Sequence, residues 1–178
     1  MKKALDRGKR SRDSELETTV AIYSDMLLGK VSGEHSIAFP ELLDRTRLDF
    51  TLDSLHGIDQ YLEQVRAQQD GLAGVLYLNT IVAAACYLGE VIRRGTPGGE
   101  CQWVRAALST QDSAQTGINL GDFTDIVLAS KGSAKPLRLT GVVARIASNS
   151  GYQSSAYEYA VLAMKRIWIS ATTPADQT

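Results

Sequence analysis

The chain has 178 residues, 44% of them hydrophobic, which is enough to bury the core of one domain without a metal or a disulfide. Lysine plus arginine (19) nearly balances aspartate plus glutamate (20), for a formal net charge of -1. No overall field therefore draws the protein to nucleic acid or to an acidic membrane surface, and a protein or small-molecule partner fits better.

Met1 to Ser14 is basic and polar, with no apolar stretch after its lysines, so it does not read as a secretory signal. It is expected to be a flexible arm over residues 1–13, ahead of a single α+β domain over 14–170 and a disordered tail over 171–178. From about Ser14 to Leu28, Leu16, Val20, Tyr23 and Leu27 recur at helical spacing, and Ser14 with Glu17 has the form of a capping box. Lys30 to Pro40 reads as loop, with a short helical turn over Phe39 to Leu43. Thr51 is placed to cap a second helix over 52–66, whose stripe is Leu52, Leu55, Ile58, Leu62 and Val65.

Gly71 to Gly89 carries no charge and is followed at once by Glu90, Arg93 and Arg94. Its length reaches the lower limit of a membrane span, about 17 to 25 residues. Glycine and alanine dilute it, however, Asn79 and Thr80 lie near its centre, and its flanks lack an aromatic belt. The reading is a buried core helix over 72–94, with Arg93 and Arg94 complementing the negative helix end and Gly95, Pro97, Gly98 and Gly99 stopping it.

Cys101 to Leu108 and Phe123 to Ala129 read as strands able to pair across the polar Ser109 to Gly121 connection. Pro136 to Ala147 reads as a helix, although Gly141 and the β-branched valines leave a strand open. In the last helix Ser155 and Glu158 form a second capping box, and Tyr157, Val161, Met164 and Trp168 share one face that is expected to be core, with Tyr157, Tyr159 and Trp168 as secondary interface candidates.

No metal set, nucleophile elbow or nucleotide loop occurs, so no catalytic residue, metal or cofactor is assigned. His35 and His56 read as ordinary loop and helix histidines. Glu90, Arg93 and Arg94 form the strongest charged constellation. Their spacing brings Glu90 to both arginines, either as an ion pair anchoring the helix end against Trp103 or as a carboxylate or anion site.

Leu48-Asp49-Phe50-Thr51-Leu52-Asp53-Ser54-Leu55, Tyr87-Leu88-Gly89-Glu90-Val91-Ile92-Arg93, Gly98-Gly99 and Trp103-Val104 together form a layout. It resembles a family of uncharacterised bacterial domains with a Tyr-x-Gly-Glu-Val helix end followed by Gly-Gly and Trp-Val. The resemblance covers about Leu48 to Val104. Here Glu100, Cys101 and Gln102 separate the glycines from the tryptophan, and the segment before Pro136 does not follow the pattern. The resemblance implies a small α+β domain with no established catalytic activity, and no functional residue is carried over from it. At Gly89, the missing side chain lets Trp103 approach the helix, with Glu90 clamping the contact.

The expected architecture is α+β, with helices packed around a buried central helix and a small antiparallel sheet. The expected function is that of a cytoplasmic, non-catalytic protein-binding module, such as a bacterial immunity (toxin-neutralising) or adaptor protein. The candidate binding residues are Glu15, Glu17, Asp49, Asp53, Asp59, Glu90, Arg93, Arg94 and Trp103, whose acidic members suit a basic toxin or effector. The alternative is a small-ligand protein or enzyme using the Glu/Arg site at the end of the central helix.

Overall fold

A computed structural model describes residues 2–31, 36–70, 72, 74–96, 101–106, 126–131, 135–148 and 154–172, with side chains from residue 14 onward. Among the described residues are five helices and a two-stranded antiparallel sheet. They run α1 (Lys2–Leu27), α2 (Leu55–Ala67), α3 (Gly74–Gly95), β1 (Cys101–Arg105), β2 (Ile126–Ser130), α4 (Leu139–Ser148) and α5 (Ala156–Thr172), with short 3-10 turns at Pro40–Leu42 and Arg45–Arg47.

The centre is α3, which packs against α1, α4 and α5. By length and composition it is apolar enough to cross a membrane, but 78% of its most apolar window is buried inside the fold. Its two central polar residues have structural partners. Thr80 Oγ1 accepts from the Ala38 amide at 2.8 Å and donates to the Leu76 carbonyl at 2.8 Å, while Asn79 Nδ2 donates to the Ser36 carbonyl at 3.1 Å. The Tyr61 hydroxyl donates to the Ala38 carbonyl, so α2 and α3 together hold the loop before Pro40. These bonds satisfy backbone groups that burial would otherwise leave unpaired.

Helix α1 starts well before Ser14, which corrects the capping box placed there. Alanine, leucine, lysine and arginine in that segment are all good helix formers. Ser14 sits inside the helix, where its carbonyl accepts from Thr18 Oγ1 at 2.8 Å. The helix ends at Gly29, whose φ of +72° is the left-handed closing conformation; Gly29 N donates to Met26 O at 3.1 Å and Lys30 N to Asp25 O at 2.9 Å. Arg45 Nε then donates to the Leu27 carbonyl at 3.0 Å.

The second helix begins at Leu55 rather than 52. Thr51 caps a preceding turn, accepting from Ser54 N at 3.4 Å, and the expected stripe Leu55, Ile58, Leu62 and Val65 is buried. Strands β1 and β2 pair with Trp103 opposite Leu128, and Leu128 also bridges to Leu137. Both readings of the segment after Pro136 therefore hold in part: Leu137 makes a strand-like bridge, and α4 starts two residues later. The Ser109 to Gly121 connection, residues 123–125, His35, Gly98, Gly99 and the tail after 172 lie outside the described residues.

The capping box of α5 is present, with Ser155 N donating to Glu158 Oε2 at 3.2 Å and Glu158 N to Ser155 Oγ at 3.0 Å. The expected core face of this helix is present in part, since Tyr157 and Met164 are half-buried and pack against the core. Ala156, Ala160, Ala163 and Ile167 are buried, whereas Val161 and Trp168 are exposed. The inward face is made of small side chains, so the helix packs closely against α2 and α3. Helix α5 runs to Thr172, two residues into the segment 171–178.

Candidate functional site

Glu90 is 6% exposed near the C-terminal end of α3, and both carboxylate oxygens are engaged. Oε1 accepts from Arg93 Nε at 2.9 Å and from Trp103 Nε1 at 2.9 Å; Oε2 accepts from Arg93 Nη2 at 2.8 Å and from Arg94 Nε at 3.4 Å. Burial opposes ionisation of this carboxyl. The hydrogen bonds from Arg93 and Trp103, with the charges of Arg93 and Arg94, outweigh burial and hold it below its ordinary value. Arg93 is correspondingly pushed up by its bond to Glu90. The paired carboxylate is a structural clamp between α3 and β1.

Gly89 lies beneath the clamp. A Cβ there would overlap the Trp103 ring and lie 2.7 Å from Leu139 Cδ1, so only glycine admits the indole edge. The close approach expected at this position is therefore present.

Arg94 turns its other face to Phe50, with the guanidinium carbon 3.7 Å from the ring centroid. Phe50 stacks on Tyr87 at 4.7 Å between centroids, and its backbone is left-handed at φ +62°. A non-glycine residue in this region costs energy and persists only where its surroundings enforce it. The enforcement is visible on both sides. Tyr87 OH accepts from Phe50 N at 3.0 Å and bonds Ser54 Oγ at 2.7 Å, while Asp49 Oδ1 accepts from Thr51 N at 2.9 Å and Thr51 Oγ1 at 2.6 Å.

These groups wall one side of a cavity of about 220 Å³ between α1 and the end of α3, lined by Glu17, Val20, Ala21, Ser24, Asp25, Lys30, Phe50, Glu90, Arg93 and Arg94. Lys30 Nζ and Asp25 Oδ1 pair across 3.2 Å. Ser24 is 4% exposed, and its hydroxyl has no hydrogen-bond partner.

The structure thus brings together Glu17, Glu90, Arg93 and Arg94 of the expected site residues, with Trp103 behind them. Glu15 and Asp53 are exposed on other surfaces of the fold, and Asp49 is occupied with Thr51. Asp59 caps α5, its Oδ1 accepting from Ala156 N at 2.6 Å and its Oδ2 from Tyr157 N at 3.2 Å. Burial raises its carboxyl above the ordinary value despite those bonds. Beside it, exposed His56 stacks on Tyr157 at 4.2 Å. Sequence reasoning missed Ser24 and Phe50 as cavity residues; the Asp49-x-Thr51 turn around Phe50 was the one available signal.

Among the described residues no group of three or more histidine, cysteine, aspartate or glutamate side chains could hold a metal ion. Cys86 and Cys101 are both buried, and burial pushes the Cys86 thiol up to about 12.

A second concavity, about 590 Å³, runs beside α5 between Ser130, Lys135, Pro136 and Leu137 on one side and Ala163, Arg166 and Ile167 on the other. Next to it the outer face of α5 presents Val161 (37% exposed), Leu162 (51%) and Trp168 (56%).

No family model, curated protein or solved structure matches this chain.

Proposed function

We propose that the chain is a non-catalytic protein-binding module, in the role of an adaptor or toxin-neutralising protein, and that its partner docks on the outer face of α5. The observation carrying this reading is the exposed patch of Val161, Leu162 and Trp168, which about two turns of helix place within about a third of its circumference. A tryptophan more than half exposed beside exposed aliphatic side chains is costly in water and is the residue type that most often anchors interfaces. Exposed Lys165 lies within this patch and exposed Arg166 at its edge, so the complementary surface is apolar with acidic groups. The engaged state of Glu90 also favours binding over catalysis, because a carboxylate accepting four hydrogen bonds has no lone pair left for a substrate proton.

The test is co-purification from the native host with full-length protein, followed by repetition with two variant sets and light scattering of each complex. Leu162→Asp with Trp168→Ala should abolish a stoichiometric complex while leaving the melting temperature unchanged. Loss instead on reversing Glu15, Asp49 and Asp53 would place a basic partner on the acidic side and overturn docking on α5. A monomer with no partner would overturn the binding reading itself.

A further inference from the structure

The cavity between α1 and the end of α3 has polar groups that the fold leaves unused. Glu90 is saturated, Arg93 gives it both Nε and Nη2, and Lys30 pairs with Asp25, so these four are not primary contacts for a ligand. Three groups remain. Arg94 commits only Nε to Glu90, its side chain is 50% exposed, and its guanidinium lies over the Phe50 ring. Glu17 makes no salt bridge among the described residues, and its charge is felt at Arg93. Ser24, at 4% exposure, holds a hydroxyl without a partner. The Ser24 Oγ is itself covered, so it marks an unsatisfied polar group in the wall of the cavity.

One cation and one anion with unused bonding capacity around about 220 Å³ match a small molecule that carries both charges. We infer that this cavity binds a small zwitterion of free amino-acid type, with its carboxylate on the Arg94 guanidinium and its ammonium on Glu17. Simple anions would meet Glu17, and simple amines would meet Arg94, so each half-molecule is disfavoured by the group that serves the other half. The fixed left-handed backbone at Phe50 and the clamp on Glu90 hold the cationic wall in position before binding, which limits the ordering cost. The volume lies below the range usual for drug-sized ligands, which restricts the occupant to a small side chain.

The experiment is an NMR titration of the full chain with glycine, L-alanine and L-serine, each matched by acetate or propionate and by methylamine or ethylamine. Saturable shifts at the Ser24 and Phe50 amides are expected with at least one amino acid, and its half-molecules should bind at least about tenfold more weakly. Glu17→Gln, an exposed change that leaves the Glu90 clamp intact, should weaken binding by about tenfold, and Arg94→Met by as much or more, with folding checked by the melting temperature. The inference is overturned if no amino acid gives a saturable shift below about 10 mM, if the half-molecules bind equally well, or if Glu17→Gln changes nothing.

Discussion

The indole of Trp103 occupies the space that a side chain on residue 89 would fill, and its Nε1 donates to Glu90 Oε1 at 2.9 Å, on the very next residue of α3. Shape and hydrogen bonding thus fix the same ring from two adjacent positions. Gly89→Ala should destabilise the protein by about 1–3 kcal/mol, because overpacking against Trp103 and Leu139 outweighs the helix-propensity gain of about 1 kcal/mol. Gly57→Ala in α2, where an added Cβ meets nothing within 4 Å, should stabilise by about 0.5–1 kcal/mol. Urea melts of the two variants decide the matter, and equal effects would refute the packing account.

Glu90→Gln leaves Arg93 and Arg94 without their counter-ion and should cost about 1–3 kcal/mol, below the figure for a fully buried pair because both arginines reach solvent. The sign with pH follows from the lowered carboxyl. Its contribution is complete above the ordinary value of 4.5 and is lost as pH falls through the lower folded value. The stability difference between wild type and Glu90→Gln, measured by denaturant unfolding, should therefore shrink on acidification below about pH 4.5.

Asp59 gives the opposite sign. Its carboxyl is raised above 3.8 by burial, so the folded state takes up this proton first and this group alone adds stability as pH falls from its folded value towards 3.8. Asp59→Asn, which keeps one acceptor for the α5 amides, should cost less than about 1 kcal/mol, and Asp59→Ala about 1–2 kcal/mol. Chemical denaturation at neutral pH orders the two variants.

Cys86 is 3% exposed and its thiol lies at about 12, so the reactive thiolate is scarce as well as covered. Neither Cys86 nor Cys101 should react with an alkylating reagent in the native protein at pH 8, and both should react on unfolding. Mass spectrometry of the treated protein provides the readout.

The parts of the fold that depend on nearby residues were legible in the sequence. The α2 stripe from Leu55 to Val65, the uncharged core helix, the pairing of β1 with β2 and the Ser155–Glu158 capping box all follow from spacing. The Glu90 clamp was legible for the same reason, since Arg93 and Arg94 lie one turn away. What failed was long-range or small. The Asp59 cap joins residues 97 positions apart, which no local pattern encodes. The buried face of α5 consists of alanines, and a reading weighted by bulk chose Val161 and Trp168 instead. The cavity needed Ser24, a buried serine in the last turn of α1 with no sequence signature, and Phe50, an aromatic in a left-handed turn signalled only by the Asp49-x-Thr51 spacing.

The central position of α3 also has a consequence during synthesis. Its apolar surface is covered by α1, which the ribosome has already released, and by α4 and α5, which it has not. From the end of α3 to the start of α5 the chain runs for about 60 residues, which takes about 3–12 s at about 5–20 residues per second. For that interval the nascent chain carries a half-covered apolar helix, the type of surface that chaperones bind. Loss of the C-terminal helix by truncation should therefore be felt first as low yield and aggregation, before any effect on binding can be measured.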